Sequence, residues 1–77
     1  MKKTQIIERA TVLAGKIRAG RARWESDKYA KSLWKNVMAD SVLQLKFTKK
    51  YLTEGKVVLA KRALLEAEAL YNRYVSR

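Results

Sequence analysis

The side chains able to do chemistry in this chain are almost all cations. Lys28, Lys31, Lys35, Lys46, Lys49 and Lys50 recur at intervals that, at about 100° per residue of a helix, gather them within an arc of roughly 100°. No Asp or Glu shares that arc. A merely solvated helix face more often interleaves both signs in i, i+4 pairs. The ordinary meaning of such spacing is a solvated face of an amphipathic helix. The functional meaning is a cationic strip that lies along a phosphate backbone and releases its condensed counterions. Further upstream, Arg9, Lys16 and Arg23 are successive sevens and form one flank of a helix, while Arg18 and Arg21 fall on the other side of an apolar seam. Arginine matters there because its planar fork binds phosphate or carboxylate bidentately and stacks on bases.

These cations are not neutralised within the composition. Lys and Arg number 18 against 7 Asp and Glu, a formal net charge of +11 in 77 residues. Residues 1–24 hold seven bases and one acid, residues 25–53 six and three, and residues 54–77 five and three, so the N-terminal third attracts anions most strongly. The partner implied is nucleic acid, DNA or RNA, or an acidic protein surface.

The absent residue types exclude other chemistry. With neither His nor Cys, the usual zinc, iron and copper ligands are missing and there is no thiolate nucleophile or disulfide framework. A general base would have to be a carboxylate or a lysine, and the seven acids are scattered. Glu66 and Glu68 point to different sides of their helix; Glu8, Asp40 and Glu54 read as surface or helix-end charges. No glycine-rich phosphate loop occurs. The expectation is a non-catalytic protein with no catalytic residue, no metal and no cofactor.

The elements that must position the cations are helices. The chain has no Pro and three Gly, is rich in Ala, Leu, Lys, Arg and Glu, and repeats its apolar residues with helical period. The first helix is expected over about 4–24, capped by Thr4, with a seam of Ile6, Ala10, Leu13, Ile17, Gly20 and Trp24. Gly15 and Gly20 each cost roughly 1 kcal/mol there relative to Ala. After Glu25-Ser26, with Ser26 as N-cap and Asp27 at the positive end of the dipole, a second helix is expected over about 27–52. Its apolar side carries Ala30, Leu33, Trp34, Val37, Met38, Leu45, Tyr51 and Leu52. A break at Thr53-Glu54-Gly55 precedes a third helix over about 55–76, with Val57, Ala60, Leu64, Ala67, Tyr71 and Tyr74 on its seam. Loops this short make neighbouring helices antiparallel. The fold class is therefore all-α: one domain over 1–77, a three-helix up-down-up bundle whose central second helix turns a lysine-rich face outward.

Tyr29, Leu43 and Phe47 fall away from the main apolar side of the second helix. Either both neighbours cover them or they form a surface for a dimer or a partner. Trp24 and Trp34 lie near cations and could stack on bases, at about 1 to 3 kcal/mol each, but both also sit on core stripes. From Tyr51 onward, Tyr51, Gly55, Val57, Ala60, Leu64 and Ala67 resemble the turn and second helix of a tetratricopeptide repeat over about 17 residues. That resemblance implies a tight αα-hairpin. Gln44, Phe47 and Thr48 stand where such a repeat has its Trp and Leu-Gly pair, and the pattern occurs once. Leu13 to Leu33, with Ile17-Arg18, Arg21, Ser26 and Ala30, is similar to the opening of a helix-turn-helix repressor domain, although Arg21 and Ser26 stand too close together and no recognition helix follows.

A chain this short buries little more than ~60% of its unfolded surface, so a homo-oligomer or a bound partner could supply further stability. Glu8 and Arg9 interrupt the apolar stretch that Met1-Lys2-Lys3 would need as a secretory signal, and the expected location is cytoplasmic. No uncharged run approaches the ~20 residues of a membrane span. Two functions follow. The first is a small regulatory or accessory protein attached to nucleic acid or a nucleoprotein through Arg9, Lys16, Arg18, Arg21, Arg23 and the second-helix lysines. The second is an adaptor or inhibitor, of the size common among phage and plasmid accessory proteins, docking on an acidic face of a larger protein with Leu43, Phe47, Leu59 and Leu70 as anchors. Cations without exposed apolar neighbours favour the first, and a mixed patch the second. Attachment to an anionic membrane surface would need a helix with a free apolar face and is disfavoured.

Overall fold

The first helix, α1 (Lys3–Trp24), is started by a glutamine. The backbone N–H of Lys2 donates to Oε1 of Gln5 at 2.8 Å, and the Lys2 carbonyl accepts from the N–H of Ile6 at 3.1 Å. Lys2 is thus the N-cap and Gln5 provides the returning half of a capping box. Thr4, read as the cap from its residue type, lies inside the helix because Gln5 meets that need one turn further on. In this computed structural model the backbone is described for residues 1–24 and 28–75, and the side chains for residues 1–20, 35–36 and 38–73. The proposed cap at Ser26 with Asp27, and the side chains of Trp24, Trp34, Val37 and Tyr74, lie outside the described residues.

The second helix, α2 (Lys28–Thr53), ends where Gly55 permits it. Gly55 has φ +77°, its N–H donates to the Leu52 carbonyl at 3.1 Å, and the N–H of Lys56 donates to the Tyr51 carbonyl at 2.8 Å. These two bonds make a Schellman motif, and a residue without Cβ takes the left-handed position. Lys56 then caps the next helix, its carbonyl accepting from the N–H of Ala60 at 3.0 Å. The connection to α3 (Val57–Val75) is therefore as tight as the spacing around Gly55 predicts. At 1.5 Å per residue, α2 alone spans about 39 Å, which matches the 40 Å long axis of the molecule.

Two apolar clusters hold the helices together. Ile6, Ala60 and Leu64 are buried with Ala10, Leu45, Tyr51, Leu52 and Val57 around them. Leu13, Ile17, Met38 and Ala67 form the other, with Val42, Leu45 and Tyr71 packed against it. The expected seams of α1 and α3 thus supply the core. α2 touches both neighbours, α3 most extensively. That close approach rests on small residues, since Ala60, Ala63 and Ala67 are buried opposite Ser41 and Thr48, which are also buried.

The polar groups taken inside have partners, as burial requires. Ser41 Oγ donates to the Ala67 carbonyl across the helix pair at 2.9 Å. Thr48 Oγ1 donates to the Gln44 carbonyl of its own helix, also at 2.9 Å. Among the described residues, no buried side-chain polar atom lacks a partner. No described helix is long and apolar enough to cross a membrane.

Candidate nucleic-acid interface

Four lysines of α2 have described side chains, and all four are exposed: Lys35, Lys46, Lys49 and Lys50. Their positions follow from the core. Met38, Ser41, Leu45, Thr48 and Leu52 point inward, and at about 100° per residue that turns Lys35, Lys46 and Lys50 toward solvent, with Lys49 at one margin. Among the described residues the ion pairs are Arg9 with Glu68 and Lys56 with Glu54, so none of these four lysines is neutralised by a described carboxylate. The nearest acid of the same helix by the helical period, Asp40, is exposed on the other margin.

The strip has an apolar border. Leu43 borders it on the Lys50 side, three residues from Lys46 and seven from Lys50, and is 46% exposed. Phe47, further round the helix, is half-buried and stacks on Tyr51 with ring centroids 6.2 Å apart. Tyr51 in turn packs into the Ile6 cluster. The three residues set apart from the main apolar side therefore do not behave alike. Phe47 is drawn toward the core, Leu43 is left in solvent, and the side chain of Tyr29 lies outside the described residues.

The cations of α1 divide. Arg9 Nε donates to Glu68 Oε2 at 3.0 Å, and its terminal nitrogen pairs with the other carboxylate oxygen. This bidentate fork ties α1 to α3 and commits Arg9 to an internal partner. Such a partly exposed pair contributes about 1 kcal/mol or less. Lys16, seven residues on, is exposed beside a groove of about 380 Å³ that Val12, Glu68 and Tyr71 also line. Arg18 lies nine residues from Arg9, half a turn around the helix at about 100° per residue, and it is exposed on the side away from Glu68. The side chains of Arg21, Arg23, Lys28 and Lys31 lie outside the described residues, although their backbones belong to α1 and α2.

The groove between α1 and α3 is lined by acids and bases together. Glu8 and Glu68 border it, but Glu68 is held by Arg9 and both oxygens are used, so it is no free base. Among the described residues, no cluster of His, Cys, Asp and Glu could hold a metal ion.

Several exposed apolar residues lie off the expected seams. Ile7 and Val12 of α1 and Val58 and Leu65 of α3 are solvent-facing, as is Leu59, one of the expected anchors. The helical wheel could have flagged Val58 and Leu65, which lie opposite the Ala60, Leu64 and Ala67 seam. No protein-family model matches the chain, and neither a curated protein nor a solved structure matches it either.

Proposed function

We propose that this chain is a small non-catalytic binding protein that attaches to nucleic acid, or to a nucleoprotein, through the lysines of α2. The observation that carries this reading is that Lys35, Lys46, Lys49 and Lys50 are exposed and unpaired among the described residues on one long helix. From Lys35 to Lys50 the helix rises about 22 Å, so amines so arranged can meet phosphates over roughly two-thirds of a turn of a duplex, whose pitch is ~34 Å. Contact would be to phosphate rather than to base edges, and sequence readout slight. Arg18 adds to this set, and Arg9 does so only by giving up Glu68.

An up-down-up bundle with a lysine-rich outer face on its central helix suits this role. The Ser41 bond to the Ala67 carbonyl, the shared cluster of Ile17 and Met38, and the packing of both Leu52 and Val57 on the Ile6 cluster support that topology. A rigid core then holds the amines along one line, lowering the entropy lost on binding.

The second reading, docking of the same face on an acidic protein surface, is favoured by Leu43. An exposed leucine beside lysines gives a protein partner an anchor and gives a phosphate backbone nothing.

A titration against duplex DNA, single-stranded DNA and structured RNA at several salt concentrations separates the two. The nucleic-acid reading expects log affinity to fall linearly with log salt, with about three to four counterions released on duplex DNA. Binding confined to very low salt, together with an acidic protein partner retained at moderate salt, favours the docking reading.

A further inference from the structure

The outer side of α3 has a different makeup from that of α2. Val58 and Leu65, seven residues apart, lie on the same side of the helix and are 67% and 42% exposed. Arg62 stands between them at i+4, and Ala69 continues the row at i+11; both are exposed. Lys61 and Arg73, exposed as well, edge the row. At about 100° per residue, this row is centred opposite Ala60, Ala63 and Ala67, which face α2. Neither α1 nor α2 covers it.

Residues at i, i+4, i+7 and i+11 are the register by which one helix lies against another. We infer that this face of α3 docks an acidic amphipathic helix of another protein. Val58, Leu65 and Ala69 would pack on its apolar stripe, and Lys61, Arg62 and Arg73 would meet its flanking carboxylates. Charge selects this occupant. In a chain of net charge +11, a second copy laid on the row would set these three cations against more cations, and like charges across an interface cost several kcal/mol. Among the described residues two acids flank the row, Glu66, exposed at one edge, and Glu68, held by Arg9 at the other. A phosphate backbone would satisfy the cations but leave Val58 and Leu65 without a partner. The face lies on a different helix from the α2 lysines, so the protein could hold nucleic acid and an acidic helix together.

The test uses the full chain and a fluorescein-labelled, stapled peptide of about 20 residues with Leu along one stripe and Glu elsewhere. A control peptide has the same composition with its Leu positions scrambled. The striped peptide is expected to bind at least about tenfold more tightly than the control, and to shift the backbone amide signals of Val58, Arg62, Leu65 and Ala69. The V58S/L65S double variant should bind both peptides equally. Lys46, Lys49 and Lys50 changed together to Gln should alter striped-peptide affinity by no more than about twofold. Both variants change exposed side chains, and their helix content is checked by circular dichroism. Equal affinity for the two peptides, no binding of either, or shifts centred on α2 would overturn the inference. So would self-association of the free chain that V58S/L65S abolishes, or duplex DNA shifting the Val58 and Leu65 amides.

Discussion

The outer sides of α2 and α3 are both basic and both exposed, yet they differ in how much carbon accompanies the charge. On α2, Lys35, Lys46, Lys49 and Lys50 form a strip with one exposed leucine, Leu43, at its edge. On α3, Val58, Leu65 and Ala69 form the row with Arg62 among them, and Lys61 and Arg73 are its margins. Amines in a line suit a partner whose charge is also in a line. An apolar row edged with cations suits a partner with its own apolar stripe, because burial of that row supplies the driving force and the cations choose the partner. Net charge alone does not separate these cases. What separates them is whether exposed carbon accompanies the charge.

The comparison depends on a common core, and damaging that core should erase both faces together. Leu64 is fully buried between Ile6 and Ala60, and Leu64→Ala is expected to cost about 3 kcal/mol, read as a lowered midpoint in urea denaturation. In so small a domain that is a large share of the stability, and binding at either face should weaken in parallel. Loss at only one face would show that the two do not share a scaffold.

Changing Lys46, Lys49 and Lys50 together to Gln should act on α2 alone. Affinity for duplex DNA should fall by roughly 100-fold at physiological salt, and the slope of log affinity against log salt should flatten by about three. Fluorescence anisotropy over a salt series reads both. An unchanged slope would mean that other cations carry the contact.

A smaller effect is expected at the joint between the faces. Gly55 holds φ +77° with nothing within 4 Å of its missing Cβ, so Gly55→Ala meets backbone strain and no clash. It should cost about 1 kcal/mol, measured by thermal unfolding. The smallest expected effect is a gain. Gly15 is exposed, and nothing lies within 4 Å of its missing Cβ either. Gly15→Ala should therefore stabilise α1 by about 0.5 to 1 kcal/mol, raising the unfolding midpoint while both faces bind as before.

The exposure of Lys35, Lys46, Lys49 and Lys50 was legible in the sequence because it depends on one helix and its period alone. So were the break at Gly55 and the seams through Ile6, Leu13, Ile17, Ala60, Leu64 and Ala67, where residue type and spacing agree. What was not legible depends on how helices are rotated against one another. Ser41 and Thr48 look like surface residues by type, yet carbonyl acceptors at Ala67 and Gln44 let them be buried. Arg9 was grouped with the free cations of α1. Its carboxylate partner, Glu68, is 59 positions away and comes within reach only once α1 and α3 are set side by side. Leu43 shows the same limit on α2, since coverage by both neighbours was one of its two readings and the bundle does not cover it.

The division of labour between the two faces is tested most directly by following the backbone amide signals of the full chain as duplex DNA is added at moderate salt. The account predicts changes centred on Lys35, Leu43, Lys46, Lys49 and Lys50, with Val58, Leu65 and Ala69 unmoved. Changes centred on α3, or spread evenly over all three helices, would contradict it.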